Sequence, residues 1–130
     1  MAESRVQPIR VKTTIDSPAV KFAKGIVDLA EAMSAKLIVF SVNGTTAKNI
    51  ARFRPKSPII VGTNKESTLR TLRIVWGIEP VIVDAKSYDK GLEKVIELAI
   101  STKFLRKGEV AVASYGLIKE RLHLIKLLMG

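Results

Sequence analysis

Cysteine is absent from this 130-residue chain, which excludes disulfides and thiolate metal sites and agrees with a reducing, cytoplasmic setting. Histidine occurs once, as His123, with no cluster of carboxylates near it in sequence. No metal, cofactor or catalytic residue is therefore expected. No apolar run approaches the ~18–20 residues of a membrane span. The opening MAESRVQPIRVKTT is charged and lacks an apolar core or cleavage site, so it does not read as a signal peptide. Asparagine and glutamine total four (Asn43, Asn49, Asn64, Gln7) against 22 Lys plus Arg, a balance that leans towards a heat-adapted source. Acids are missing from the whole interval between Glu31 and Glu66. That interval holds six bases: Lys36, Lys48, Arg52, Arg54, Lys56 and Lys65.

The apolar content is 47% with only 5% aromatics, which fits one α/β domain over 1–130 with a core of Val, Ile, Leu and Ala. Residues 1–15 show no sustained periodicity and read as an N-terminal arm. Asp16-Ser17-Pro18 starts a helix, and Ala19, Phe22, Ala23, Ile26, Val27, Ala30 and Met33 recur at helical spacing to about Ala35. Leu37–Phe40 is an unbroken apolar strand, followed by a loop Ser41–Thr45 and a helix to about Phe53 that Pro55 and Pro58 close off. Ile59–Val61 is a second strand. Thr63 or Asn64 caps the next helix, whose apolar face is expected to carry Leu69, Leu72, Ile74, Val75 and Trp76 before Gly77 stops it. Pro80–Val83 is a third strand, Ser87 caps a helix through Leu92, Val95, Ile96, Ala99 and Ile100, and Val110–Ala113 is a fourth strand. The tail Leu117–Met129 fits either a helix or a strand, and propensity favours the helix. Alternating strands and helices give an open, mainly parallel sheet covered on both sides.

The stretch that organises the chain is Leu37–Pro58, LIVFSVNGTTAKNIARFRPKSP. A strand that stops in a glycine turn and opens a helix presents unpaired N–H groups and the positive end of a dipole, a common way to hold an anion. Ligands in such sheets sit beyond the carboxyl ends of strands, where the strand order reverses.

Ser41-Val42-Asn43-Gly44-Thr45-Thr46-Ala47, then Ile50-Ala51-Arg52-Phe53-Arg54-Pro55 and Ser57-Pro58-Ile59-Ile60, resembles the C-terminal α/β domain of pyruvate kinase. The likeness continues through Thr63, Thr68, Leu72, Gly77-Ile78-Glu79-Pro80-Val81 and Lys107-Gly108-Glu109-Val110, and covers about Ser17 to Gly130. It implies a three-layer α/β/α sandwich whose five strands run in the order 3-2-1-4-5, the last antiparallel, with His123–Met129 as the fifth strand against propensity. In that family the domain holds no catalytic residue; a separate (β/α)8 barrel does the chemistry, and 130 residues cannot contain it. The resemblance thus implies a stand-alone regulatory domain that binds an effector and self-associates, or a subunit or fragment of a split enzyme that joins a barrel-bearing partner.

The residues matching the family's phosphate-wrapping turn are Ser41, Asn43, Gly44, Thr45 and Thr46, with Tyr115 and Gly116 as a lid at the end of the fourth strand. Relatives that bind sugar phosphates carry Lys and Arg in the turn, where this chain has Val42 and Thr45, and the loop Ser114–Leu117 is short. That speaks against a fructose bisphosphate and leaves a simpler phosphorylated small molecule or anion. The plainer reading of the turn is that Thr45 merely caps the helix. Arg52 and Arg54 read as cations at a helix C-terminus, Lys48 as a charge one turn from the loop, Trp76 as a core or interface residue, and Asp84 and Asp89 as helix-start acids. The formal charge of +10 also admits a nucleic-acid binder, although no helix-turn-helix or RNA-recognition signature accompanies it. A phosphatase or transferase at the same crevice lacks a placed nucleophile or base.

Overall fold

Leu37, Ile38, Val39 and Phe40 have no polar alternation and are all buried, as a central strand covered on both faces requires. In the computed structural model, which describes residues 18–117 and 122–129, they belong to β1 (Lys36–Phe40). The remaining elements are α1 (Pro18–Ala32), α2 (Thr45–Ala51), β2 (Ile59–Thr63), α3 (Glu66–Leu72), β3 (Ile78–Ile82), α4 (Tyr88–Ser101), β4 (Val110–Leu117) and β5 (Leu122–Met129). The expected arm over 1–15 and the Asp16 or Ser17 cap lie outside the described residues.

The sheet order is β3-β2-β1-β4-β5, with β5 antiparallel to β4 and every other pairing parallel. Helices α1, α2 and α3 cover one face, where Ile26, Val27, Leu37, Val39, Ile50 and Leu72 interlock. Helix α4 covers the other, packing Leu92, Val95 and Ala99 on Ile38, Phe40 and Ile60. Each of the larger of these side chains contributes roughly 1.5–3 kcal/mol by leaving water.

Several element ends fall short of what the periodicity suggests, each for a visible backbone reason. Helix α1 stops at Ala32 instead of near Ala35, because Ser34 turns left-handed (φ 52) and the Ala35 N–H returns to the Ala30 carbonyl at 2.8 Å. Helix α2 ends at Ala51, not Phe53, with Arg54 left-handed at φ 47. Helix α3 ends at Leu72, so Ile74 and Trp76 lie outside it. Neither is a core residue, at 86% and 75% exposed. The cap of α3 is Lys65, and Thr63 instead accepts the Lys65 N–H at 3.3 Å. Helix α4 starts as its sequence indicates, with the Ser87 hydroxyl accepting the Lys90 N–H at 3.2 Å. Strand β3 begins two residues early, at Ile78.

The largest departure is at the C-terminal end. Propensity favours a helix there, but Leu122–Met129 is β5, as the family likeness implies, paired along the full length of β4 from Val110↔Met129 to Leu117↔Leu122. An open edge of eight backbone residues on β4 outweighs the helix preference of Leu, Lys and Met. The same pairing carries β4 past Ala113 to Leu117, so Ser114–Leu117 is strand rather than loop. Among the described residues no helix is long and apolar enough to cross a membrane.

At the amino end of the sheet, the Lys36 ammonium donates to the Phe104 carbonyl and pairs with the Glu109 carboxylate at 2.9 Å. Glu109 also accepts the Arg106 N–H at 2.8 Å. The Lys36 hydrogen bond first, and the Arg106 N–H second, hold the Glu109 carboxyl below its usual range. A depressed carboxylate stabilises the fold above its unfolded pKa, and that contribution disappears as pH falls through the folded pKa. Glu109→Gln should therefore melt below the wild type near neutral pH, with the gap closing on acidification below the ordinary Glu range. Melting curves across that pH span check this, and a gap independent of pH would assign the difference to packing instead.

Candidate functional site

Strand order reverses beside β1, since β2 lies on one side of it and β4 on the other. The carboxyl ends of β1 and β4 therefore bound a crevice, with α2 leaving on one face and α4 on the other. The β1–α2 loop sits at its mouth.

Ser41 is 4% exposed, and its hydroxyl accepts the Gly44 N–H at 3.0 Å, closing the loop on itself. Gly44 is the residue that precedes α2 and adopts φ 82, a left-handed conformation that favours glycine. A Cβ there would lie 3.3 Å from the Thr68 methyl and 3.6 Å from Leu72, so the loop is seated directly on α3. The Val42 carbonyl accepts hydroxyl hydrogen bonds from Thr68 at 2.7 Å and Thr63 at 3.2 Å. Two neighbouring elements thus fix the loop before any ligand is considered. Thr45 does not cap α2, since it is the first helical residue and its exposed side chain makes no described hydrogen bond. Thr46 is 7% exposed and Asn43 is exposed.

The two helices that begin at the crevice differ. Helix α4 has a Ser87 cap and Asp89 in its first turn, whereas α2 has neither a side-chain cap nor an acid there. No described hydrogen bond satisfies the N–H groups of Thr45, Thr46 or Ala47. The α2 start thus carries no acid of its own to neutralise the positive end of its dipole, whereas the α4 start does.

Tyr115 and Gly116 stand inside β4, Tyr115 level with Phe40 and Gly116 level with His123 on β5. Tyr115 is 5% exposed, and its hydroxyl donates to Asp89 at 2.7 Å. Its ring meets Tyr88 at 5.6 Å, and Tyr88 meets Phe40 edge-on at 5.7 Å. The structure therefore brings Ser41, Asn43, Gly44, Thr45 and Thr46 together as one loop. It places Tyr115 on the α4 face of the sheet as a wall of the crevice instead of a loop lid.

Lys65 is a neighbour of the loop that the sequence pattern does not single out. Its ammonium donates to Asn43 Oδ1 at 3.1 Å. The available signal was positional: in a parallel sheet the residues just after β2 lie beside those just after β1. A lysine on the adjacent loop thus stands beside a turn whose own Val42 and Thr45 carry no charge. Lys48, by contrast, turns towards another cleft of about 300 Å³, shared with Ala51, Arg52, Arg54, Val75 and Trp76. Arg52 and Arg54 make no described side-chain hydrogen bond to the last carbonyls of α2; Arg52 instead lies over the Phe53 ring at 6.0 Å. Among the described residues no group of three or more His, Asp or Glu side chains could hold a metal ion.

Comparison with known proteins gives one family. Residues 21–124 match the family model described as pyruvate kinase, alpha/beta domain. The pyruvate kinase of Pyrobaculum aerophilum is 43% identical over 106 residues, covering 82% of this chain and 21% of that protein. The pyruvate kinase of Aeropyrum pernix is 34% identical over 92 residues, covering 71% and 20% respectively. The crystal structure of the Pyrobaculum aerophilum enzyme superposes with a TM-score of 0.76 at 38% identity, over 88% of this chain and 24% of that one. The chain spans about a fifth of the length of the curated relatives it matches. Sheet order, the seated glycine loop and the match across nearly the whole described fold converge, and the chain belongs to the pyruvate kinase α/β domain family.

Proposed function

We propose that this chain is a non-catalytic regulatory module. It holds a phosphorylated metabolite or other anion at the β1–α2 loop and assembles with a second copy of itself or with a barrel-bearing partner. The observation that carries the reading is the pairing of an uncapped, acid-free α2 start with the Lys65 ammonium on Asn43. Three N–H groups, the Thr45 and Thr46 hydroxyls and one lysine supply donors and positive charge without a cation in the turn itself. A subunit or fragment of a pyruvate kinase is the second reading, supported by the family match.

Thr45→Glu tests the site without threatening the fold. An acid in the first turn stabilises a helix by roughly 0.3–1 kcal/mol, so the free variant should melt at or slightly above the wild type. The same carboxylate repels a bound phosphate. A thermal-shift panel of sugar phosphates, phosphoenolpyruvate and nucleotides, at two salt concentrations, should yield a compound that stabilises the wild type by about 2.7 kcal/mol at 100 times its Kd. Thr45→Glu should lose that shift. If every stabilising compound shifts the variant equally, the anion does not sit on this loop.

A further inference from the structure

Trp76 stands at 75% exposed on the turn between α3 and β3, with Ile74 beside it at 86%, while Val75 between them packs on the core. Ile74 and Trp76 together put a small apolar patch in water on this turn. Trp76 lines a concave cleft of about 300 Å³ with Lys48 from α2, with Arg52 at the C-cap of that helix and with Arg54 just beyond. Lys48 and Arg52 lie one turn apart and so share a helix face. No acid lines this cleft, and the described ion pairs, Lys24–Asp28 and Lys36–Glu109, leave all three of its cations without a carboxylate. None of the three makes a described side-chain hydrogen bond to a helix carbonyl, so capping of α2 does not account for them.

An exposed indole and three cations around one small cavity match the two halves of a nucleotide. A base stacks on an aromatic face regardless of its identity, and guanidinium and ammonium groups take phosphate oxygens by charge-assisted hydrogen bonds. We propose that this cleft is a nucleotide site, separate from the β1–α2 loop, in which a nucleobase stacks on Trp76 and a polyphosphate lies against Lys48, Arg52 and Arg54. The size favours a mononucleotide over a strand of nucleic acid, since small-ligand pockets begin near about 300 Å³.

Trp76 is the sole tryptophan in the chain, so its fluorescence reports on this cleft alone. Titration with ATP and with UTP should quench it saturably at up to millimolar concentrations, with similar affinities for the two bases. Inorganic tripolyphosphate should reverse the ATP quench while itself changing the emission little. By calorimetry, Trp76→Ala should weaken ATP by about tenfold or more, the size expected for loss of one base stack, and Trp76→Phe should stay within a few-fold of the wild type. Arg52→Ala should weaken ATP and tripolyphosphate by the same factor. The proposal is overturned if ATP gives no saturable quench, if Trp76→Ala binds ATP as well as the wild type, or if Arg52→Ala leaves ATP and tripolyphosphate binding unchanged. It is equally overturned if a single-stranded oligonucleotide binds far more tightly than ATP with a steep salt dependence, which would make the surface a nucleic-acid face.

Discussion

Gly62→Ala is expected to destabilise the fold by about 2–3 kcal/mol, at the upper end of ordinary overpacking because the neighbour is stiff. Gly62 is buried in β2, level with Phe40 on β1 and Val81 on β3, and a Cβ placed there would lie 2.1 Å from Val95 Cγ2. Val95 is fully buried in α4, and a β-branched side chain in a helix strongly prefers one rotamer, so the methyl cannot simply swing aside. Either α4 lifts from the sheet or the valine takes a strained rotamer. The gain from restricting the unfolded chain, roughly 0.4–1 kcal/mol, offsets only part of this. Val95→Ala should relieve the clash: the double variant should be more stable than the sum of the two single losses requires. Urea denaturation of the four proteins in that cycle checks it, and strictly additive losses would show that the helix does not rest on this glycine. A lifted α4 also carries Asp89 away from Tyr115, so the wall of the crevice reports on the same contact.

The parts of this fold that show in the sequence are those where burial is uniform. Leu37–Phe40 and Ile59–Val61 are apolar on both faces because helices cover both sides, and Ile59–Val61 is in addition bounded by Pro58 and Gly62. The glycine loop after β1 was legible for the same reason: Gly44 requires a left-handed backbone at the strand–helix joint. What was hidden depends on contacts distant in sequence. The β5 residues prefer a helix by themselves, and the open edge of β4 is absent from any local window. Ile74 and Trp76 continue the apolar period of α3 in sequence, but the helix ends at Leu72 and the turn to Gly77 (φ 86) swings them outward. Tyr115 reads as a loop residue until β5 extends β4 around it. Lys65 reaches the loop only because β2 runs parallel to β1, which places one strand's exit beside the next. The loop's shape was therefore readable from Ser41–Thr46, and the lysine beside it was not.

Phe40→Ala should have the largest effect on this chain, about 3–5 kcal/mol, the usual range for truncating a buried phenylalanine. Phe40 ends β1 at 1% exposed, immediately before Ser41, and its ring packs on the α4 face of the sheet. The ring is held on two sides. Tyr88 meets it at 89° in an edge-on contact, and Gly91 of α4 lies so close that an added Cβ would stand 2.5–2.6 Å from three ring atoms. Removing the ring leaves a void that the sheet cannot close, because β1 is pinned by β2 and β4 on both edges. The close approach also gives the prediction a second arm. Gly91→Ala alone should be destabilising even though alanine is the better helix former by about 1 kcal/mol. In a Phe40→Leu background, where the ring edge is gone, the same substitution should become neutral or favourable. Chemical denaturation of that set separates the two effects. If Gly91→Ala stabilises the wild-type chain outright, the ring is not wedged against α4, and the aromatic wall from Phe40 through Tyr88 to Tyr115 is looser than these distances require.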